Sequence, residues 1–151
     1  MSAIKPIQFG LRSIRTDEFA TIKPVPNETA KVKLGNSFNF SVSADSHQIL
    51  VSARINFEAD AQPFIILQVT CVFGIKPDDF AKFSTEKENE LKVPKEFLAH
   101  LASITIGTAR GVLHTKLENS EYKKFMVPIM DVSKGFKEDV IFMLAPATKS
   151  S

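Results

Sequence analysis

The chain has no tryptophan, one tyrosine (Tyr122), one cysteine (Cys71) and three histidines among 151 residues, and each shortage closes off a class of function. A lone thiol cannot form an intrachain disulfide, and no cysteine or histidine cluster stands at the spacing a zinc site requires. Cys71 lies in an alternating apolar segment, so a buried, unreactive thiol in a reducing compartment is expected. His47 falls in a predicted turn. His100 and His114 lie on one predicted helix but about 20 Å apart along its axis, too far to share a metal. No metal or organic cofactor is expected.

Long apolar runs are missing as well. No stretch approaches the roughly 20 residues of a membrane span, and residues 1–10 lack the continuous apolar run of a secretory signal, so a cytoplasmic protein without membrane insertion is expected. Charge of one sign is scarce. Nineteen basic and seventeen acidic residues leave a formal charge of +2, with the lysines spread among acids, and the basic patch or fold motif of a nucleic-acid binder is absent. The neighbouring carboxylates Asp17-Glu18 and Asp78-Asp79 read as loop or surface residues, and Gly107-Thr-Ala-Arg-Gly111 has neither the preceding strand nor the lysine of a phosphate loop. No catalytic constellation emerges. The chain is read as a non-enzyme; an enzyme reading would have to rest on acids such as Asp78 or Asp79.

What the sequence does contain is phenylalanine, thirteen of them, in a chain 44% hydrophobic and 24% charged. That suits one domain over residues 1–151, with a frayed tail over 146–151, and leaves rings to spare for an exposed apolar surface. A period of two marks strands in the first half. Ile7, Phe9 and Leu11 open one that restarts over 14–22; Leu34, Phe38, Phe40 and Val42 share a second; Val51, Ala53, Ile55 and Phe57 a third; and Ile65 through Ile75 a fourth. Pro24 and Pro26 break any ladder between residues 21 and 27 and predict a crossover loop, while Asp45-Ser46-His47 and residues 60–63 supply turns. The result is an antiparallel meander with one dry and one wetter face.

A charged excursion over 76–93, anchored by Phe80 and Phe83, leads to Pro94, which opens a helix running to about Leu117, roughly 35 Å long. Phe97, Leu98, Leu101, Ile104, Thr105, Thr108, Val112 and Leu113 follow helical spacing. So do the small residues Ala102, Ser103, Gly107, Ala109 and Gly111. Glycine in a helix interior costs roughly 1 kcal/mol relative to alanine, so a close contact is expected there, either with another element of the chain or with a second subunit. After a polar break comes an apolar hook, Phe125 to Met130. Phe136, Val140, Ile141 and Leu144 at helical offsets then predict a short amphipathic helix over 133–144.

The order of these elements and the wording of several segments resemble SecB, the protein-export chaperone, and more closely the divergent SecB-like proteins. The likeness runs over roughly residues 7–144. It rests on Ser13-Ile-Arg-Thr-Asp-Glu-Phe19, the Pro24 crossover, the strand over 63–75, Ile104-Thr-Ile-Gly-Thr-Ala-Arg-Gly-Val-Leu113 and Met126-Val-Pro-Ile-Met-Asp-Val132. The resemblance implies an α+β fold, a four-stranded antiparallel sheet with one long and one shorter C-terminal helix on one face. It implies a homotetramer built as a dimer of dimers, with Ser103, Gly107, Arg110, Gly111 and His114 at the subunit interface. It implies ATP-independent binding of unfolded polypeptides in apolar grooves, which by position places Val25, Phe38, Phe40, Phe64, Ile66, Phe136, Ile141 and Phe142 against the client. The family's export members also present sheet acids to the motor SecA. Here Glu18 matches one such acid, the next falls near Ile22, and the sequence pI is near 8.7. SecA is therefore a partner implied by the family and not by this surface. A holdase, with protein export as the role the family suggests for it, is the leading expectation; a module dedicated to one partner, such as an antitoxin, is the second.

Overall fold

Residues 6–144 are described by a computed structural model, and the four alternating segments form β1 (Phe9–Thr21), β2 (Val32–Ser43), β3 (Gln48–Ala59) and β4 (Gln62–Ile75). They pair antiparallel in the order β1-β4-β3-β2. The predicted frayed tail over 146–151 lies outside the described residues. Alternation works as the sequence implied: Ile49, Val51, Ala53, Ile55 and Phe57 of β3 are buried beside Ile65, Leu67, Val69, Cys71, Phe73 and Ile75 of β4. The turn between these strands, Asp60-Ala61, holds both residues at positive φ (52° and 62°), the hand that matches strand twist in a tight hairpin.

β1 is one strand, not two, and its apparent restart is a matter of register. Shifts between Leu11 and Ser13 and between Thr16 and Glu18 change which residues face the core. The second turns Asp17 onto the sheet face away from the core, where its carboxylate accepts hydrogen bonds from Thr70 and Gln68 and pairs with Arg15. Beside it the Ser52 and Thr70 hydroxyls lie 2.6 Å apart, and Arg54 Nη1 donates to Glu18 Oε2 at 2.8 Å. On the wetter face of the meander these groups pair with one another, while the buried Asn56 Oδ1, on the residue opposite Ile66, has no hydrogen-bond partner among the described residues.

Beyond β4 the chain forms a short helix α1 (Pro77–Ala81), a strand β5 (Glu90–Val93) and the long helix α2 (Lys95–Leu117) with Pro94 as its N-cap. Phe80 and Phe83 are buried anchors. Asp79 is nearly buried at the first turn of α1, where its Oδ2 accepts the Gln8 N–H at 2.9 Å and its Oδ1 faces Lys82 Nζ at 3.3 Å. α2 packs on β3 and β4 through Leu98, Leu101, Ala102, Thr105, Ile106, Ala109, Leu113 and Leu117. The buried Thr105 hydroxyl is satisfied by the Leu101 carbonyl at 2.8 Å.

The C-terminal segment departs from expectation. In place of a helix over 133–144 there is one 3-10 turn, Val132–Gly135, and a strand β6 (Val140–Met143) antiparallel to β5. Local chemistry and tertiary context explain the change. Asp131 caps only the 3-10 turn by accepting the Ser133 N–H, and Asp139 Oδ1 instead accepts the N–H of Lys95 at 3.0 Å. The run Val-Ile-Phe-Met favours extended backbone, and the β5 edge offers it hydrogen-bond partners that the helical spacing could not outweigh.

Two of these carboxylates make stability depend on pH. The Gln8 amide, opposed by burial and helped by Lys82, holds Asp79 below the usual carboxylate range. Burial raises the Asp17 carboxyl, but bonds from Thr70, Arg15 and Gln68 together outweigh it and leave the group lowered. Carboxyls more acidic folded than unfolded contribute fully above the unfolded value, about pH 4, and lose that contribution as pH falls through the folded value. Urea midpoints should therefore drop between about pH 5 and pH 3. Asp17→Asn/Asp79→Asn should flatten that drop, and an unchanged slope would contradict the assignment.

Candidate functional site

A four-stranded sheet with strands about 4.8 Å apart is wider than a single helix about 10 Å across, so α2 cannot cover all of it. Seated on β3 and β4, it leaves a margin on each side. On the β1 margin Leu11 and Ile14 remain 44% and 50% exposed. The segment after α2 crosses to the β2 margin.

Ser120 makes the turn, donating from its hydroxyl to the Leu117 carbonyl and accepting the Tyr122 N–H. Tyr122 and Phe125 then pack on Phe64, with ring centroids 6.3 and 4.9 Å away, and the Tyr122 hydroxyl donates to the Ile22 carbonyl at 3.1 Å, tying down the start of the crossover loop. The apolar hook follows, clamped by Arg110: Nε donates to the Val127 carbonyl at 2.8 Å and Nη2 to that of Pro128 at 2.9 Å. Val127 is buried, and Ile129 is 92% exposed.

Between β2 and the end of this hook lies an open groove of about 440 Å³. Asn36, Phe38 and Phe40 line one wall, and Met130, Val132 and Phe136 the other. The Phe38 and Phe40 rings stack at 6.4 Å, and Phe136 meets Phe40 edge-on at 5.6 Å. Asp131 at the rim is held below the usual carboxylate range by the Ser133 hydroxyl and amide, so the rim keeps its negative charge beside walls that, Asn36 apart, are apolar. Such a surface removes apolar side chains from water. Among the described residues no three His, Cys, Asp or Glu side chains gather as a metal site.

A second groove, about 790 Å³, runs beneath the crossover loop and holds Val25 between Pro24 and Pro26, facing Phe64 and the β3–β4 turn. Phe64 itself is 3% exposed, so it contributes floor and little accessible surface. The residues named from the sequence thus separate into groups. Phe38, Phe40 and Phe136 converge in the first groove, and Val25 and Phe64 in the second. Ile66 pairs with Asn56 and Ala20 on the opposite face of the sheet, away from both grooves. Ile141 and Phe142 lie in β6, Ile141 toward solvent and Phe142 against the core. Met130 and Val132 are groove walls that sequence reasoning omitted; the apolar hook was the signal that could have found them.

The seam of small residues on α2 divides between two faces. Ala102 and Ala109 meet the sheet, whereas Ser103, Gly111 and His114 are exposed and Gly107 and Arg110 half-buried. A Cβ added at Gly111 would meet nothing within 4 Å, and one at Gly107 only Arg110 Nη1 at 3.7 Å. No described element of the chain therefore needs these glycines small.

No family model and no curated protein matches this sequence. Among solved structures the fold is similar to that of the SecB-like chaperone Rv1957 of Mycobacterium tuberculosis, in complex with a ChAD peptide from the antitoxin HigA1 (Rv1956). The TM-score is 0.57 at 10% sequence identity, over 81% of this chain and 89% of that one. The α+β architecture expected from the resemblance is thus a SecB-like fold, with a strand where a second helix was expected.

Because Arg110 is the hook's clamp, Arg110→Ala should free residues 125–130. The loss of two charge-assisted bonds is expected to lower stability by roughly 1–2 kcal/mol and to speed amide exchange in the hook. Unchanged exchange there would contradict the clamp.

Proposed function

We propose that this protein is an ATP-independent holdase that captures non-native polypeptide segments in the groove between β2 and the 3-10 turn. The observation that carries this reading is the convergence of Phe38, Phe40 and Phe136, remote in sequence, on one open apolar groove. The SecB-like fold supports it, and so does the peptide bound by the structural neighbour, which makes a polypeptide the natural occupant. Burying one aromatic side chain is worth about 1.5–3 kcal/mol, so a few rings give useful affinity without reading a client's sequence. A module dedicated to one partner is the second reading, favoured by the antitoxin origin of that neighbour's peptide.

In this proposal a second copy covers the β1 margin and the outer face of α2, where Leu11, Ile14 and the sterically free Gly111 lie, and assembly reaches a tetramer in the cytoplasm. Delivery to SecA is given no support by the outer face. Glu18 there is paired with Arg54 and Asp17 with Arg15, which leaves little free negative charge for a motor to recognise.

Phe40→Ser/Phe136→Ser should weaken binding of a reduced, carboxymethylated and permanently unfolded protein at least tenfold, about 1.4 kcal/mol. Failure of the wild-type chain to bind this client or to suppress its aggregation would overturn the holdase reading. Gly111→Leu should raise the helix propensity of α2 by about 0.8 kcal/mol while breaking the proposed assembly into smaller species on light scattering. An oligomer of unchanged mass would place the interface elsewhere.

A further inference from the structure

The strand β6 is apolar on both faces. Val140 and Phe142, with Leu144 after them, pack against the cluster that holds Leu91, Val93 and Phe97, whereas Ile141 and Met143 are 54% and 71% exposed. β3 shows what a permanently seated strand looks like in this protein, with Ser52, Arg54, Asn56 and Glu58 opposite its buried side chains. β6 instead has the composition of an extended apolar peptide lying on a surface. Its hold is slight. The Leu144 N–H donates to the Asn89 carbonyl at 2.7 Å, and with Phe142 opposite Leu91 and Val140 opposite Val93, alternation directs the backbone groups of Phe142 and Val140 toward β5. The backbone groups of Ile141 and Met143 point to the free edge. Asp139 and Lys137 add bonds to Lys95 at 3.0 and 3.4 Å.

The seat beneath β6 has defined ends. Asn89, at φ 58°, bends the chain at one end of β5, and Pro94, without an N–H, stops the ladder at the other. Between these ends β5 pairs with Val140–Met143 and the Asn89 carbonyl takes the Leu144 N–H, with Val140, Phe142 and Leu144 turned toward the core. The seat also adjoins the groove, because Phe136, a groove wall, is joined to β6 only through the exposed run Lys137-Glu138-Asp139.

We propose that the β5 edge is a second polypeptide-binding site, a strand-addition site for a short extended segment with alternating apolar residues, filled in this structure by the chain's own β6 and opened by strand exchange. The proposal rests on the holdase reading and specifies how a client extends past the groove. A client already held beside Phe136 reaches the β5 edge intramolecularly, at the high effective concentration needed to compete with a tethered strand. Main-chain bonds supply affinity that does not depend on sequence, and the inward positions select apolar side chains.

Locking β6 in place tests this. Lys92 and Ile141 are opposed across the ladder, and both are exposed, so Lys92→Cys/Ile141→Cys can be joined by a disulfide outside the core, with native Cys71 fully buried. The probes are a fluorescein-labelled peptide copying residues 138–144 and the carboxymethylated unfolded protein. The oxidised variant should bind the peptide at least tenfold more weakly than the same protein reduced, and the unfolded protein more weakly as well. Equal binding in both redox states overturns strand exchange and leaves the holdase reading standing. No binding of the unfolded protein even when reduced overturns both. In the wild-type chain, saturation with the unfolded protein should speed hydrogen exchange at the Phe142 amide while the Leu91 amide stays protected; unchanged protection at Phe142 also overturns the proposal.

Discussion

The packing of one helix on the middle of a wider sheet governs the rest of this structure. α2 buries β3 and β4, whose inward residues are the most completely enclosed in the chain, and it reaches β1 only near its ends, where Phe9 meets Phe97 and His100 and Lys116 lies over Phe19. Each margin then has to be completed by something else. On the β2 side the chain folds back on itself through Tyr122, Phe125 and the hook held by Arg110, and the cover is incomplete, which leaves an aromatic groove. On the β1 side the middle of the strand, at Leu11 and Ile14, stays exposed.

The same constraint accounts for the contrast between the two sheet faces. The face away from α2 carries hydroxyl and ion pairs around Thr70, Asp17 and Arg54 beside a few apolar side chains such as Ile66 and Val72. The face toward α2 is apolar at its centre and carries that character outward through Leu11 and Ile14 of β1 and Phe38 and Phe40 of β2, which leaves apolar side chains at both margins.

The sheet and α2 were legible in the sequence because period two and helical spacing are local signals, and burial of one face enforced both. Val51 to Phe57 and Leu98 to Leu113 show this directly. The bulges of β1 were not legible, since a register shift leaves only an apparent restart near Ile14. β6 was misread for a different reason: the spacing of Phe136, Val140 and Leu144 is helical, but the partner edge of β5 is distant in sequence and decides the outcome. Part of the candidate groove could be read, because the resemblance brings Phe38, Phe40 and Phe136 to notice and the structure places them together. Ile66 could not be placed on its face without the pairing of β4 with β3, and Met130 and Val132 join the groove only because Arg110 clamps the segment before them. The glycines of α2 signalled close packing, yet no described part of the chain packs on them.

The central claim is that non-native polypeptide lies against the margin of the sheet that α2 cannot reach. Methyl-labelled nuclear magnetic resonance, with a permanently unfolded protein titrated into the labelled chain, tests it most directly. The account predicts shifts at Met130 and Val132, in the groove, with Ile66 and Val72 on the polar face unmoved. Shifts confined to Ile66 and Val72, or none at Met130 and Val132, would contradict it.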